Sequence, residues 1–469
     1  MNGKSITTVL ENTIVNKGNL KIVDSNTEKQ GTITIDLAGN KEYASGIVNE
    51  STGKIEITGA ITITGKGVYS NTINNKGKIT ATDTKLISNG TYVNGQTGIR
   101  LISNTGVLNL NNTTIKHISG RYTYGIYNET GTVNINGLTT QEGGRAIDTY
   151  EGEVNITGTV TREGIGTLIY LAQKSSASEG TKLNIENATI VDNQNTSQMM
   201  YGDKGKIKIY NSNIKAKTSV LGIGTNGVGV DITIEKSKIT SSNNTVISQY
   251  KGNTEIKDSD IIYNGTYSYG SIQFRSTGSL TITGESNITS TGEKAIELTS
   301  TGNTSIKGEV NVEGAKYGIY NSSIGAVTLG ENNGEVDRTY PCITGGEYGI
   351  YQSNSDGKLN FYDGQIKGKT GTIYGTITEI ASGYEISKTN GDYYTDILVK
   401  SGVEVSVAKI GEVTYTSIQD AIVACPEGTQ KTITIENNVI ATSTITIPQG
   451  KDIILDLNGF TIIGENVNN

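Results

Sequence analysis

The sequence predicts an all-β protein built as a parallel β-helix, in which the chain coils repeatedly around one apolar interior. The 469 residues include 60 Gly but only 3 Pro, and the abundant Thr and Ile favour strands while Gly and Asn favour tight turns. A short motif also recurs: YGIYN stands at Tyr124–Asn128 and Tyr317–Asn321, and YGIYQ at Tyr348–Gln352. Many short strands and turns, with one motif repeated, are typical of a solenoid.

The repeated motif places one aliphatic residue in each coil. In a relaxed form, a small residue followed by an aliphatic one, it occurs thirteen times at spacings of 20 to 31 residues. This spacing fits coils of two or three short strands and is too short for a propeller blade, which needs roughly 40 residues. We expect these aliphatic side chains to form one wall of the interior: Ile47, Val68, Ile99, Ile126, Ile147, Ile169, Met200, Val220, Ile247, Ile272, Ile296, Ile319 and Ile350.

A second wall is predicted from strands in which apolar and polar residues alternate with a period of two, such as KIEIT at Lys54–Thr58. Successive coils stack at the strand spacing of about 4.8 Å, so equivalent residues should lie in columns. Asn128 and Asn321, which close two copies of the motif, are predicted to lie at a corner of the coil and to hydrogen-bond along the stack.

From about Ser401 the pattern changes. A short helix is predicted over residues 417–425, because four apolar residues recur there at helical spacing: Ile418, Ala421, Ile422 and Cys425. Thr416 with Gln419 fits a capping box at its start, and Pro426 ends it. Such a helix is expected to cover the open apolar end of a solenoid.

Two parts of the chain are therefore predicted. Residues 1–400 should form a right-handed, single-stranded parallel β-helix of about 14–16 coils, given roughly 25 residues per coil. Residues 401–469 should form a cap module, with a hairpin, the short helix and the first coils of a second β-helix.

Three stretches near the C-terminus are more specific: TSIQDAI within Tyr415–Ile422, Thr432–Ile435, and DLNGFTI within Leu455–Ile462. They resemble a module of large, adhesin-like bacterial cell-surface proteins with right-handed, pectate-lyase-like β-helix repeats. The resemblance implies a right-handed coil and an extracellular, cell-attached setting, and it implies no substrate. The coil that follows this module in such proteins stands here at the other end of the chain, as NKGNLKIVDS at Asn16–Ser25. We therefore expect further β-helix modules to flank this chain in a longer protein.

Charge and cysteine content exclude several classes of function. The net charge is −7, from 39 basic and 46 acidic residues without long blocks, whereas nucleic-acid binding needs a concentrated basic surface. No run of 18 apolar residues is present, so membrane insertion of this segment is not expected. Cys342 and Cys425 lie in different segments and form no CxxC pair, which predicts two unpaired thiols, no metal and no cofactor.

The residue after each inner aliphatic is expected to point outward, and this outer column contains few acids. Asp148 and Glu297 lie six coils apart, about 29 Å at one strand spacing per coil. Arg100 lies two coils from Asp148, which favours a loose surface pair. Polysaccharide lyases and glycoside hydrolases, which also occur on β-helices, need carboxylates or basic groups on neighbouring coils. We therefore predict no enzymatic activity, with a polysaccharide-degrading enzyme as the alternative.

Tyrosine fills six of the thirteen positions in the same outer column: Tyr69, Tyr127, Tyr170, Tyr201, Tyr320 and Tyr351. Tyrosine combines a flat apolar face with a hydroxyl group, which suits contact with a sugar ring or a partner protein. The alternative is that these rings only stack on their neighbours. We predict a non-enzymatic, extracellular β-helix of a bacterial surface, acting as a stalk or adhesive display region that binds a glycan or a host surface protein. A phage tail fibre or tailspike is a third hypothesis.

Overall fold

The computed structural model describes residues 5–26, 28–37, 44–66, 70–88, 100–117, 124–142, 144–164, 166–172, 180–194, 198–224, 228–401, 406–441 and 443–464. Within these residues the chain is strand and turn with one short α-helix near the C-terminus, and it forms a right-handed parallel β-solenoid of about 16 turns. The predicted fold class is confirmed. The turns contribute strands to three parallel faces, called sheet 1, which contains the repeated motif, and sheets 2 and 3, which follow it in that order along each coil.

Sheet 1 contains the repeated motif. Its strands pair in parallel from coil to coil and are, in order, Ile14–Asn16, Ser45–Asn49, Asn71–Asn75, Arg100–Asn104, Tyr124–Asn128, Arg145–Thr149, Ile169–Leu171, Met200–Gly202, Leu221–Ile223, Ile247–Gln249, Ile272–Phe274, Lys294–Leu298, Tyr317–Asn321, Tyr348–Gln352 and Gly371–Tyr374.

Sheet 2 follows a short turn after sheet 1. Its strands are Asn19–Val23, Lys54–Thr58, Lys78–Thr82, Val107–His117, Thr132–Glu142, Glu153–Arg162, Thr181–Asp192, Lys204–Tyr210, Gly229–Glu235, Thr254–Lys257, Leu280–Thr283, Thr304–Ile306, Ala326–Leu329, Lys358–Phe361 and Glu379–Ile380. The four longest of these continue into sheet 3. Each turns the corner at one residue with positive φ, which Gly and Asn adopt most readily: Asn112, Gly137, Gly158 and Asn187.

Sheet 3 completes each coil. Besides the second halves of the four long strands it contains Ser5–Thr8, Thr32–Asp36, Thr62–Lys66, Lys85–Ser88, Asn213–Ala216, Lys238–Ser241, Asp260–Tyr263, Asn287–Ser290, Asn311–Gly314, Cys342–Gly345 and Gln365–Gly368. The parallel stack ends at a hairpin of Tyr384–Thr389 and Tyr394–Lys400, whose second strand pairs antiparallel with Gln365–Gly368.

The inner column of sheet 1 is confirmed as an apolar wall. Ten of the thirteen predicted aliphatic residues pair in register along it, and none of the ten is more than 1 % exposed. Val220 is also buried, but Leu221 occupies the register position between Met200 and Ile247. The prediction for that coil is therefore wrong by one residue.

Two predicted members of the inner column, Val68 and Ile99, lie outside the described residues. Ile73 and Ile102 occupy the column in their two coils, and each is 1 % exposed. In these two coils the inner column is therefore continued by an isoleucine later in the sequence than the residue predicted.

A buried asparagine ladder runs along one interior corner of the solenoid, as predicted for Asn128. Each side-chain amide donates to the carbonyl oxygen of the next, at 2.8 Å from Asn16 to Asn49, 2.9 Å to Asn75, 2.7 Å to Asn104 and 2.8 Å to Asn128. The ladder satisfies buried amides that would otherwise destabilise the interior.

Asn321 departs from the prediction. Its side-chain oxygen accepts the backbone N–H of Ser323 at 3.0 Å, within its own turn. One neighbour in the column, Leu298, has no acceptor in its side chain. The side-chain amide of the other, Gln352, donates to the carbonyl oxygen of Gly357 at 2.6 Å and not to Asn321. The prediction that Asn321 hydrogen-bonds along the stack is therefore wrong.

The C-terminal segment has a separate buried apolar cluster. It contains a hairpin of Ala408–Ile410 and Val413–Tyr415, the helix Ile418–Ala424, and two parallel pairs in which Gln430–Ile435 pairs with Asp452–Asp456 and Val439–Ala441 with Ile462–Gly464. The apolar side of the helix, including the predicted Cys425, packs on the strands of this segment. The division into residues 1–400 and 401–469 stays a prediction.

The start of the helix differs from the predicted capping box. Ser417 is the N-cap, because its hydroxyl accepts the backbone N–H of Asp420 at 3.0 Å and donates to the Asp420 carboxylate at 2.7 Å. The predicted partner Gln419 donates to the carbonyl oxygen of Thr446. This helix is the only one in the described part of the chain. It has seven residues and is far shorter than a membrane span.

Candidate binding surface on sheet 1

A row of tyrosines lies on the outward side of sheet 1, one position after the inner column. Five of the six predicted residues occupy it: Tyr127, Tyr170, Tyr201, Tyr320 and Tyr351. Tyr69 lies outside the described residues, and Asn74 holds this position in its coil. Tyr374 extends the row by one coil and was not predicted. Its GTIY repeats the small–aliphatic–Tyr pattern, so the motif was sufficient to find it.

The first group in the row, called the Arg–Tyr cluster, comprises Arg100, Tyr124, Tyr127, Arg145, Asp148 and Tyr150. The guanidinium carbon of Arg100 lies 3.6 Å from the centre of the Tyr127 ring, and the Tyr150 ring lies 5.1 Å from it. Arg145 lies in the same way 3.7 Å over the ring of Tyr170, in the next coil. Arginine side chains therefore cover one ring face of Tyr127 and one ring face of Tyr170.

Asp148 holds the predicted outward position and Arg100 acts on it from two coils away, but the expected surface pair is wrong because the carboxylate is buried and its close partner is Arg145. Its side chain is 0 % exposed, and Arg145 on its own strand donates to its Oδ1 at 3.3 Å. Burial is the largest influence and raises the pKa of Asp148 to about 6, while Arg145 and Arg100 act in the opposite direction. Burial and the Asp148 charge together raise the pKa of Tyr150.

Tyr170 and Tyr201 form a stacked pair in which the Tyr170 hydroxyl is already engaged. Their rings lie 5.4 Å apart and 3° from parallel, and the Tyr170 hydroxyl donates to Asp203 Oδ2 at 2.5 Å. The Tyr201 hydroxyl lies against Gly224, where any larger residue would collide with it. Burial and the bond to Asp203 raise the pKa of Tyr170. These contacts therefore connect neighbouring coils of the solenoid.

The C-terminal stack comprises Tyr320, Tyr351 and Tyr374. Their rings are nearly parallel, at 5.5 Å and 6° for the first pair and 4.4 Å and 7° for the second. Tyr317 and Tyr348 pack against the stack at tilted or edge-on angles. The inner ring faces are therefore in contact with one another, and ring edges and hydroxyl groups face outward.

The two ends of the C-terminal stack differ. At one end the Lys294 ammonium lies 4.3 Å over Tyr320 and is held by Glu297 at 2.6 Å. At the other end Tyr374 stands on the last strand of sheet 1 and is 49 % exposed. Tyr374 therefore presents the accessible ring face of this stack.

No catalytic arrangement results from the predicted carboxylates. Asp148 is fully buried, and both oxygens of Glu297 are engaged, one by Lys294 and the other by Gln273 at 2.9 Å. Among the described residues, no three His, Cys, Asp or Glu side chains are grouped as metal ligands. Cys342 is half-buried and Cys425 buried, both as free thiols.

Comparisons with known proteins add little to this picture. No protein-family model and no curated protein matches the chain. Among solved structures, a chain of the Vag8–C1 inhibitor complex determined by cryo-EM aligns with a TM-score of 0.37 and 12 % sequence identity, over 80 % of this chain and 99 % of that chain. Similarity at this level assigns neither a family nor a partner, so the parallel β-solenoid is established by the chain's own strand pairing.

Proposed function

We propose that the chain is a non-enzymatic, extracellular β-solenoid of a bacterial surface that displays the C-terminal stack to a binding partner. The observation that supports this most is the half-exposed Tyr374 at the end of three stacked rings. Rings held in a stack lose little side-chain freedom on binding, and Tyr is enriched at positions that dominate interface affinity.

The geometry of the stack limits what the partner contributes. One planar or apolar group, a sugar ring or an aromatic side chain, fits the accessible face of Tyr374. Polar groups of the partner then meet the hydroxyl groups along the row. A glycan or a host surface protein remains the proposed partner class, as the sequence predicts.

A non-enzymatic role is supported by the burial and bonding of the acidic side chains in the outer column. Catalysis by a lyase or hydrolase needs an accessible acid or base beside the substrate. Asp148 is covered and Glu297 is held by two neighbours. A reducing-sugar or unsaturated-product assay over common polysaccharides tests this, and turnover that is lost in Glu297→Gln would contradict it.

The flanking β-helix modules predicted from the sequence belong to the same proposal. Their support is the resemblance of Tyr415–Ile422 and Leu455–Ile462 to a cap module of tandem surface proteins. Reading the neighbouring codons of the gene tests it, and a stop codon or an unrelated coding sequence on both sides would exclude the array.

Binding is predicted to depend on the C-terminal stack and not on the Asp203-bound pair. The protein is screened against a glycan array and a panel of purified host surface proteins. The double variant Tyr351→Ala plus Tyr374→Ala should weaken a detected interaction at least tenfold, because it removes the exposed face and its support. The matched control, Tyr170→Ala plus Tyr201→Ala, also removes two stacked rings and should keep the affinity.

Two results would contradict the proposal. Equal losses in both double variants would show that general disruption of sheet 1 is responsible, and unchanged binding in both would place the interaction elsewhere. If no probe binds the native chain, the solenoid is a spacer rather than a display surface.

A further inference from the structure

Asp148 occupies an outward position of sheet 1 and is nevertheless fully buried. It pairs in register with Tyr127 on the preceding coil and with Tyr170 on the following coil, so its short side chain lies between two long ones. Arg145 donates to Oδ1 at 3.3 Å, and a hydrogen bond from Tyr150 also favours the charged carboxylate, whereas Oδ2 is buried without a hydrogen-bond partner among the described residues. A buried carboxylate oxygen left without a donor destabilises the charged form.

The groups that face Asp148 come from its own strand and from three neighbouring strands. Its own strand supplies Arg145 and is followed by Tyr150. The other strands supply the remaining groups: Tyr124 and Tyr127 from the preceding coil, Arg100 from the coil before that, and Tyr170 from the following coil. Two cations therefore surround one carboxylate, and the tyrosines are neutral at ordinary pH.

Arg145 is held by two contacts that respond differently to a proton. Its bond to Asp148 needs the carboxylate charge for full strength. Its stacking on the Tyr170 ring at 3.7 Å is independent of that charge. Loss of the Asp148 charge thus weakens one of the two restraints on the Arg145 side chain, which is 37 % exposed.

We propose that protonation of Asp148 releases Arg145. In mildly acidic surroundings the Arg–Tyr cluster then carries more positive charge, and Arg145 is more available to an anionic partner. In the charged state the carboxylate compensates one of the two guanidinium groups. In the protonated state the proton from solvent neutralises Asp148, and both Arg100 and Arg145 are presented to an anionic partner. The raised pKa of about 6 sets the range over which this change takes place. The inference is independent of binding at the C-terminal stack, which lies on other coils.

The direct test is the titration of Asp148 in the intact protein. Aspartate labelled with ¹³C at the carboxyl carbon is followed by NMR from pH 4.5 to 8. We expect a carboxyl signal with a midpoint near pH 6 that is missing in Asp148→Asn. Burial also raises the pKa of Asp192 and of Asp396, so the signal is assigned by its loss in this variant. If no signal that titrates between pH 5 and 7 is lost in Asp148→Asn, the proposed release of Arg145 does not occur.

The functional test uses retention on immobilised heparin, a polyanionic probe, at a series of pH values. At pH 7.5 native protein should elute at a lower salt concentration than Asp148→Asn. Near pH 5 the two should elute at the same concentration, because residue 148 is uncharged in both. Arg145→Ala should lose this acid-dependent increase. The control Arg275→Ala removes another arginine that lies over a tyrosine of the solenoid, 5.2 Å from Tyr250, and should keep the increase.

Two outcomes would overturn the proposal. One is an acid-dependent increase of the same size in Asp148→Asn and native protein. The other is an equal loss in Arg145→Ala and Arg275→Ala, because any surface arginine would then account for it.

Discussion

Asparagine side chains form two ladders in this solenoid, one inside and one on the surface. Inside, Asn75 is 0 % exposed and donates to Asn104 at 2.7 Å and to the Val107 carbonyl oxygen at 3.1 Å. On the outer side of sheet 2, Asn155 donates to Asn134 at 2.9 Å and is half-exposed. Water can replace a lost partner on the surface and cannot do so in the interior.

The inner ladder should therefore be far more sensitive to substitution than the outer one. Asn75→Ala should lower the free energy of unfolding by about 3 kcal/mol, because two buried neighbours lose a partner. Asn155→Ala should lower it by less than about 1 kcal/mol. Urea unfolding followed by circular dichroism measures both, and equal values would contradict the distinction.

The burial of Asp148 predicts the direction in which the stability of the protein changes with pH. Because its pKa is about 6 when folded, above the ordinary 3.8, its favourable contribution is complete below pH 3.8 and is lost as the pH rises through 6. The difference corresponds to about 3 kcal/mol. Asp148→Asn should therefore raise the melting temperature at pH 7.5 and change it little at pH 4. A variant less stable than native protein at pH 7.5 would show that the ion pair with Arg145 dominates.

At the scale of the strand, the sequence was sufficient to predict which side chains face inward. Period-two alternation and the recurring aliphatic residue identify ten members of the inner column in register. In the coils predicted from Val68, Ile99 and Val220, the column is occupied by Ile73, Ile102 and Leu221, because a shift of the motif by one to five residues keeps an apolar residue at the aligned position. Register across coils depends on tertiary pairing, which such local patterns do not specify.

The sequence was sufficient to predict where the tyrosines of the row lie, but not which of their ring faces are accessible to a ligand. Whether a ring face is accessible depends on side chains from other coils, such as Arg100 over Tyr127 and Lys294 over Tyr320. Long side chains reach across coils in directions that a single strand's pattern does not reveal. The burial of Asp148 escaped prediction for the same reason.

The helix offers a test of how its start is fixed. Ser417→Ala should destabilise the C-terminal cluster by about 1 kcal/mol, since the N–H of Asp420 loses its acceptor. Thr416→Ala, at the position that the sequence suggested, should have a smaller effect. Thermal unfolding of both variants compares them, and the reverse order would restore the predicted capping box.

At the scale of the whole molecule, the described residues contain two buried apolar clusters. The larger extends along the solenoid to Leu398, and the smaller begins at Ala408 and includes the helix. Solenoid stability accumulates from contacts between neighbouring coils, so a break in the apolar interior should also interrupt cooperative unfolding.

We therefore expect two thermal transitions by differential scanning calorimetry. Removing residues 402–469 should abolish the smaller transition and shift the larger by only a few degrees. Ser417→Ala in the full chain should lower the smaller transition alone. A single transition that both changes displace together would show that the chain unfolds as one unit.

The strand count of sheet 1 also fixes a distance between its two aromatic regions. Tyr127 and Tyr320 stand on the fifth and thirteenth strands, so eight strand spacings, about 38 Å, separate the Arg–Tyr cluster from the C-terminal stack. A ligand with two contact points would gain avidity only if its own points match this interval. Duplication or loss of whole coils between them would lengthen or shorten it in steps of about 5 Å, and so would change which bivalent ligands are held.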